Sequence, residues 1–489
     1  MMSSADSTFM SHLRQVDRIT NLHTCFPLWV AGTCFVCLVV VSSVILLGDT
    51  RDLVLTCELI VFAVALWLAW RFLRRANDWT KRQDFFNPAV AFVAAYLIWF
   101  ALGSANVFDL PDSISGGAFT PIPSSQWGFY LLGLAGYCVG LWLGGIPLSV
   151  NPEKLEVRNN WDPTRFGRAI FLLAIVMLVS GAAQVYQFGI PGLSRMAGEE
   201  RLALRGIPHF LFTSCAFTLL IVIPAHIWTR MLSRRAKVVG FTFVFLIAIA
   251  LPLLQGGRSD LVVSMLTVFI SFHYVKKRKT LGSLVVLGSC VLVLLSAMGY
   301  VRDYSLTSGE GMDWLTMLRL PAWSVPILYA LLYVRYTVAT FRDVTTIIPH
   351  HVPYQLGALT FGAFKTFLPG HHDMSDVFFK NMLGSDFVGG GQPATLLGPL
   401  YGDFGVAGIL LGMIAFGLIA ASAYRRMVQN RSLINVIIYA WILQTGFMGL
   451  FGSLFTYIST LSLPVMWLTL DWLVKKPSMR NKLMVATQS

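Results

Sequence analysis

Apolar residues in this chain run in long unbroken stretches, with little of the alternation that marks a half-buried strand. Such stretches fall at residues 27–47, 53–73, 87–106, 127–147, 166–187, 209–229, 238–254, 260–275, 280–300, 403–423, 433–452 and 455–473. A helix of about 20 apolar residues spans a bilayer core of about 30 Å, so each stretch predicts a membrane-crossing helix. The pattern predicts an all-α polytopic membrane protein with about 12 transmembrane helices. A membrane barrel would need alternating strands of about ten residues, which are absent from the pattern. The connections are short except one, at 301–402. This divides the chain into a bundle of nine helices (1–300), a large loop with short helices (301–402), three further helices (403–475) and a tail (476–489).

Composition agrees with the pattern. Of 489 residues, 56% are hydrophobic and 12% charged, and soluble domains carry about twice that charged fraction. Mean hydropathy is +0.67. The first 26 residues are mixed and polar, with Arg14 and Arg18 and no cleavable leader pattern, so the first helix is expected to stay as an anchor. The seven cysteines lie in or beside apolar stretches. Cys34 and Cys37 form a C-x-x-C inside one of them, and the set reads as small buried hydrophobes.

Charge sets the orientation. With the N-terminus in the cytoplasm and the spans alternating, 26 of the 37 Lys and Arg fall on the cytoplasmic side, in segments such as "RFLRRANDWTKR", "RMLSRRAK" and "RRMVQNR". The outer side then holds 11 basic residues and 15 of the 24 acids. The net charge of +13 therefore faces the anionic inner leaflet and calls for no nucleic acid partner. Only Lys365 and Lys380 among the outer basic residues are lysines. An arginine excess suits bidentate phosphate binding. No cytoplasmic loop exceeds about twenty residues, and none carries a Walker A motif or D-x-D, so any chemistry belongs at the outer face.

Five outer pieces could carry that chemistry. In "LLQGGRSDLVV", Arg258 sits between a glycine helix stop and the start of the next helix, which reads equally as an anion site or as a capped turn. "FGIPGLSRMAGEERLALRG" supplies Arg195, Arg201 and Arg205; Arg201 and Arg205 share a helix face, with Glu199 and Glu200 available to pair with them. "GYVRDYS" supplies Arg302. The stretch 313–343, broken by Pro321 and Pro326, is expected to form short helices on the outer leaflet, with Arg335 and Arg342 on one face; a re-entrant segment or a pair of extra spans would keep the same topological parity. Finally, "FLPGHHDMSD" and "GGGQPATLLGPLYGDFG" supply His371, His372, Asp373, Asp376, Tyr401 and Asp403. A carboxylate or imidazole here would serve as a base for a sugar hydroxyl; the alternative is a polar loop that packs.

"YGDFGVAGILLGMIAFG" after a glycine-rich loop, "GGRSD" between two spans, "FGIPGLS…EERLALRG" and the single large outer loop together resemble the bacterial O-antigen polymerases, or oligosaccharide repeat unit polymerases. The resemblance implies a membrane-embedded glycosyltransferase of the inner membrane, similar in architecture to O-antigen ligases. It implies a growing glycan on undecaprenyl pyrophosphate as donor and a repeat unit on the same carrier as acceptor. It further implies a periplasmic site without metal or nucleotide, and a chain-length regulator protein as a partner. Arginines near the lipid would stabilise the leaving pyrophosphate as its charge grows. Arg258 and Arg302 lead that clamp, with Arg201, Arg205, Arg195 and Arg335 behind them; His372, Asp373, Asp403 and Tyr401 are the catalytic candidates. Two rivals stand beside this reading: an O-antigen ligase, and a transporter or flippase of lipid-linked sugars.

Overall fold

The computed structural model describes residues 84–104, 122–123, 125–146, 157–190, 206–230, 232–255, 259–276, 325–365, 375–383, 391–452 and 458–475. In chain order the helices are α1 (Pro88–Ser104), α2 (Gln126–Leu143), α3 (Pro163–Phe188), α4 (Ile207–Thr229), α5 (Arg234–Gln255), α6 (Ser259–Val275), α7 (Val325–Ile347), α8 (Gly362–Lys365), α9 (Ser375–Met382), α10 (Leu397–Gln429), α11 (Leu433–Phe451) and α12 (Ile458–Val474). Nine of the twelve predicted stretches coincide with these helices. The stretches 27–47, 53–73 and 280–300 lie outside the described residues. By length and composition, α3, α4, α10 and α11 are long and apolar enough to cross a membrane, and α1, α6 and α12 contain shorter apolar helices.

Local chemistry starts these helices where it should. Asn87 accepts the Ala89 N–H at 3.0 Å, with Pro88 in the first helical position. Asp162 accepts the N–H groups of Thr164 (2.9 Å) and Arg165 (3.0 Å), again ahead of a proline. The stretch 313–343 departs from expectation. Rather than short helices broken at Pro326, α7 is one helix of 23 residues, and Pro326 sits in its first turn, where a missing N–H costs nothing. Pro321 lies outside the described residues.

The consecutive pairs α1/α2 and α3/α4 alternate in direction. Tyr96 donates to the Tyr130 carbonyl and Tyr137 to the Pro88 carbonyl, so α1 and α2 are antiparallel. The His226 ring stacks on Phe166 while Phe212 covers Gly181, which makes α3 and α4 antiparallel too. α2 and α10 run parallel and touch backbone to backbone. A Cβ on Gly140 would lie 2.1 Å from the Ile414 carbonyl oxygen, and one on Gly417 would lie 2.3 Å from that of Tyr137. Small residues permit this approach, which is how helices gain packing energy where lipid removes the hydrophobic drive.

The apolar interior has two parts. One gathers α1, α2, α7 and α10; the other gathers α3, α4, α5 and α12. α11 joins them, giving Val436, Tyr439 and Leu443 to the first and Ile434, Ile437 and Trp441 to the second. α4 is enclosed nearly all round, whereas α3 leaves Phe171, Leu172, Leu178 and Val179 exposed, as a lipid-facing helix does.

The bundle has two unlike ends. At the basic end, where Arg158, Arg165, Arg230, Arg234, Arg425 and Lys475 gather, a buried carboxylate ahead of α1 ties α6 to α10, and a neighbouring carbonyl brings in α11. Asp84 accepts from Tyr274 of α6 and Tyr424 of α10, both at 2.7 Å, with His273 at 3.7 Å, while Tyr439 of α11 donates to the Phe86 carbonyl. Nearby, Asp471 of α12 accepts from the Trp161 indole at 2.7 Å and pairs with Lys475 at 2.6 Å. The opposite end carries the large loop.

Candidate functional site at the loop end

α7 lies across the loop end of the bundle, touching one helix terminus after another. Tyr333 meets Phe451 at the end of α11, Val338 meets Gly103 at the end of α1, and Phe341 meets Phe129 and Tyr130 at the start of α2. Thr345 then accepts from Gln126 at 2.6 Å, and the Ile348 carbonyl accepts from Tyr401 of α10 at 3.3 Å. A helix that meets the ends of α11, α1, α2 and α10 in turn, four termini on one side of the bundle, is a lid rather than another span.

Two polar clusters hang from this lid. At its middle Arg335 is 4% exposed and donates to the Gly103 carbonyl at 2.7 Å. Gly103 is in the last turn of α1, so its carbonyl has no partner within that helix, and a cation there also complements the helix dipole. Next to Arg335 are Tyr336 and, from α9, Asp376. Burial, reinforced by the Asp376 charge, pushes the Tyr336 phenol well up, so it stays a protonated donor. Gln392 approaches Thr340 at 3.4 Å, and its N–H bonds the Asp376 carbonyl at 2.8 Å. One turn further on, Arg342 pairs with Asp343 at 2.7 Å. Burial raises the Asp343 carboxyl, and the guanidinium partly opposes that rise.

At the far end of α7 stands Asp403. It is 0% exposed, and both carboxylate oxygens are engaged: Oδ1 accepts the Leu359 N–H at 3.0 Å and Oδ2 the Thr360 N–H at 2.6 Å. The same stretch also reaches the backbone of α10, with Gln355 N–H on the Gly402 carbonyl (2.9 Å) and Leu356 N–H on that of Asp403 (3.3 Å). Four hydrogen bonds thus latch residues 355–360 to the head of α10. The helix breaks there. Gly405 has φ 62° and ψ −144°, a region open to glycine, and a Cβ on it would meet the Tyr354 hydroxyl at 2.8 Å. The glycines of "YGDFG" therefore make a kink that seats Tyr354 and presents Asp403 to the loop.

Of the outer polar residues that the sequence singles out, Arg335, Arg342, Asp376, Tyr401 and Asp403 are described, and Arg335, Tyr401 and Asp403 are the ones given a role in the site. They do not converge: Arg335 and the Tyr401 contact are 13 residues apart on the lid, about 20 Å along a helix. Arg195, Arg201, Arg205, Arg258, Arg302, His371, His372 and Asp373 lie outside the described residues. The helix ends that flank two of those segments are tied together, because buried Gln184 near the end of α3 donates to the Leu254 carbonyl near the end of α5. His209, at the start of α4, approaches the same glutamine at 3.4 Å. Sequence reasoning missed the segment 348–361, which gives Asp403 its partners. A contact across 43 or 44 residues leaves no periodic trace; only Pro349, Pro353 and Gly357 mark that stretch as a shaped loop.

Comparison with known proteins gives one finding. No curated protein and no solved structure matches the chain. A family model described as "Putative O-antigen polymerase" matches residues 84–451, about three quarters of the sequence. That match begins at the Asp84 clamp, takes in the lid, the latch and the kinked head of α10, and stops at the end of α11; on its extent, the chain belongs to the O-antigen polymerase family.

Proposed function

We propose that this membrane protein polymerises lipid-linked oligosaccharide repeat units at the periplasmic face of the inner membrane, with both termini in the cytoplasm. In this reading the growing glycan leaves undecaprenyl pyrophosphate and passes to a hydroxyl of a second repeat unit on the same carrier. The acceptor hydroxyl loses its proton to a base, a new glycosidic bond forms at the donor carbon, and the pyrophosphate departs with the bonding pair. The observation that carries the reading is the family match over residues 84–451, which supports a role in O-antigen polymerisation. The loop end, where lid, latch and kink assemble beside apolar helices, is the place it assigns to the chemistry. A chain-length regulator protein is the proposed partner.

Burial guides the roles given to Arg335 and Asp403. The arginines assigned to the pyrophosphate are Arg258 and Arg302, then Arg201, Arg205 and Arg195. Arg335 supports them from behind, since its guanidinium already holds the end of α1. His372 or Asp373 is the proposed base. Asp403, with each oxygen on a backbone N–H, is proposed as a positioning residue that holds the loop, and Tyr401 as its companion.

The experiment is a chain-length ladder from membranes carrying Arg258→Ala or Arg302→Ala. Collapse to a single capped repeat, with the protein still at wild-type level, supports the reading. Normal ladders would sink the clamp, and long glycans stranded on undecaprenyl pyrophosphate would show a ligase instead.

A further inference from the structure

The latched loop shows an apolar surface where a water-facing loop would show a polar one. Leu356 is 79% exposed, Phe361 50%, Phe364 53%, and Phe404, at the kink, 44%. These side chains form one patch. A Cβ on Gly357 would lie 3.3 Å from the Phe361 ring and 3.5 Å from the Phe404 ring, so both rings close over that glycine. Phe364 follows, with its ring centroid 6.3 Å from that of Phe361. The patch also continues into a surface whose partner is fixed. Ala407, Leu411, Ala415 and Leu418 of α10 are exposed at three- and four-residue spacing, which puts them on one side of a membrane-crossing helix. That stripe is the apolar, unpacked side of a helix long and apolar enough to cross a membrane, and Phe404 lies against its first turn: a Cβ on Gly408 would lie 3.0 Å from the Phe404 Cβ.

We propose that residues 356–364, together with Phe404, are seated in the acyl region of the outer leaflet, so that the loop is held from below by Asp403 and from outside by the bilayer. The large loop is then part membrane anchor and part aqueous, with the exposed His350 and His351 on its watery side. Continuity with the lipid stripe of α10 decides the occupant. A span of this hydropathy turns its unpacked apolar side to acyl chains, and a patch that runs on from that side meets the same solvent. The inference rests on α10 crossing the membrane and does not depend on the glycosyl-transfer reading.

Two measurements test it. In the unaltered full-length chain, reconstituted in phosphatidylethanolamine–phosphatidylglycerol bilayers, a phospholipid with a diazirine in its acyl chain should mark the peptides covering 354–364 as well as those covering 407–418. Marking of 407–418 without 354–364 would overturn the proposal. In a cysteine-free background, nitroxides at Leu356→Cys and Phe361→Cys should match Leu411→Cys in oxygen-to-nickel-chelate accessibility, and exceed His351→Cys severalfold. Ratios equal to His351→Cys would place the loop in water. Protection from both reagents would place a protein partner on it. Either result rejects the lipid seat.

Discussion

Asp403 shows how much of a side chain's surroundings its type leaves unsaid. A lone carboxylate beside a tyrosine at the mouth of a span looks like a base, yet its oxygens hold the N–H groups of Leu359 and Thr360. Hydrogen bonds to a charged acceptor contribute about 1.5–3 kcal/mol each, so Asp403→Ala should release the loop. The expected outcome is faster proteolysis within 348–361 and a shortened glycan ladder. Asp403→Asn keeps one carbonyl acceptor and should recover part of both. A residue acting as base would instead lose activity equally in the two variants while the loop stayed protected. Gly405→Ala forces a side chain into a positive-φ conformation and against Tyr354. A backbone strain of about 1–3 kcal/mol is expected, visible as a lower melting temperature in detergent. The tyrosine and the glycines of "YGDFG" were legible in the sequence as a special site. Their purpose was not, because Leu359, Thr360 and Tyr354 reach it only through the fold.

Helices were the most legible elements, since an apolar stretch of bilayer length has few alternatives to a helix in a membrane. What the stretches hide is which faces meet. α2 carries Gly133, Gly136, Gly140 and Gly144, and only the fold shows that this row lies against α10. Gly140→Ala with Gly417→Ala should force the two backbones apart. An overpacking cost of about 1–3 kcal/mol per site is expected, read as lost monodispersity on size exclusion while Gly128→Ala, which meets open space, behaves as wild type. The lid is the element that pattern reasoning misjudged. Its prolines look like breaks, but Pro326 begins α7 rather than interrupting it, and burial of Arg335 against the Gly103 carbonyl of α1 leaves no mark in the sequence. Arg335→Ala leaves the Gly103 carbonyl unpaired at about 1–3 kcal/mol, and should lower thermal stability along with activity.

Across the whole molecule, two packed halves meet along α11, with a polar clamp at one end and a helical lid at the other. Orientation is testable at this scale. In cells with a permeabilised outer membrane, an impermeant maleimide should label His351→Cys and spare Ser233→Cys; the reverse pattern would invert the proposed topology. The sequence by itself determined the membrane class, the helical stretches that the structure describes and the family resemblance, because bilayer thickness and backbone hydrogen bonding allow one solution to runs of that length. It also pointed to the loop end, through glycines and scarce polar residues. Only the tertiary structure decided that α7 caps the bundle, that Asp84 joins α6 and α10 to the start of α1, and that Asp403 is enclosed by a loop more than forty residues away. Those choices depend on side chains meeting across distant parts of the chain, and such meetings follow from packing rather than from periodicity.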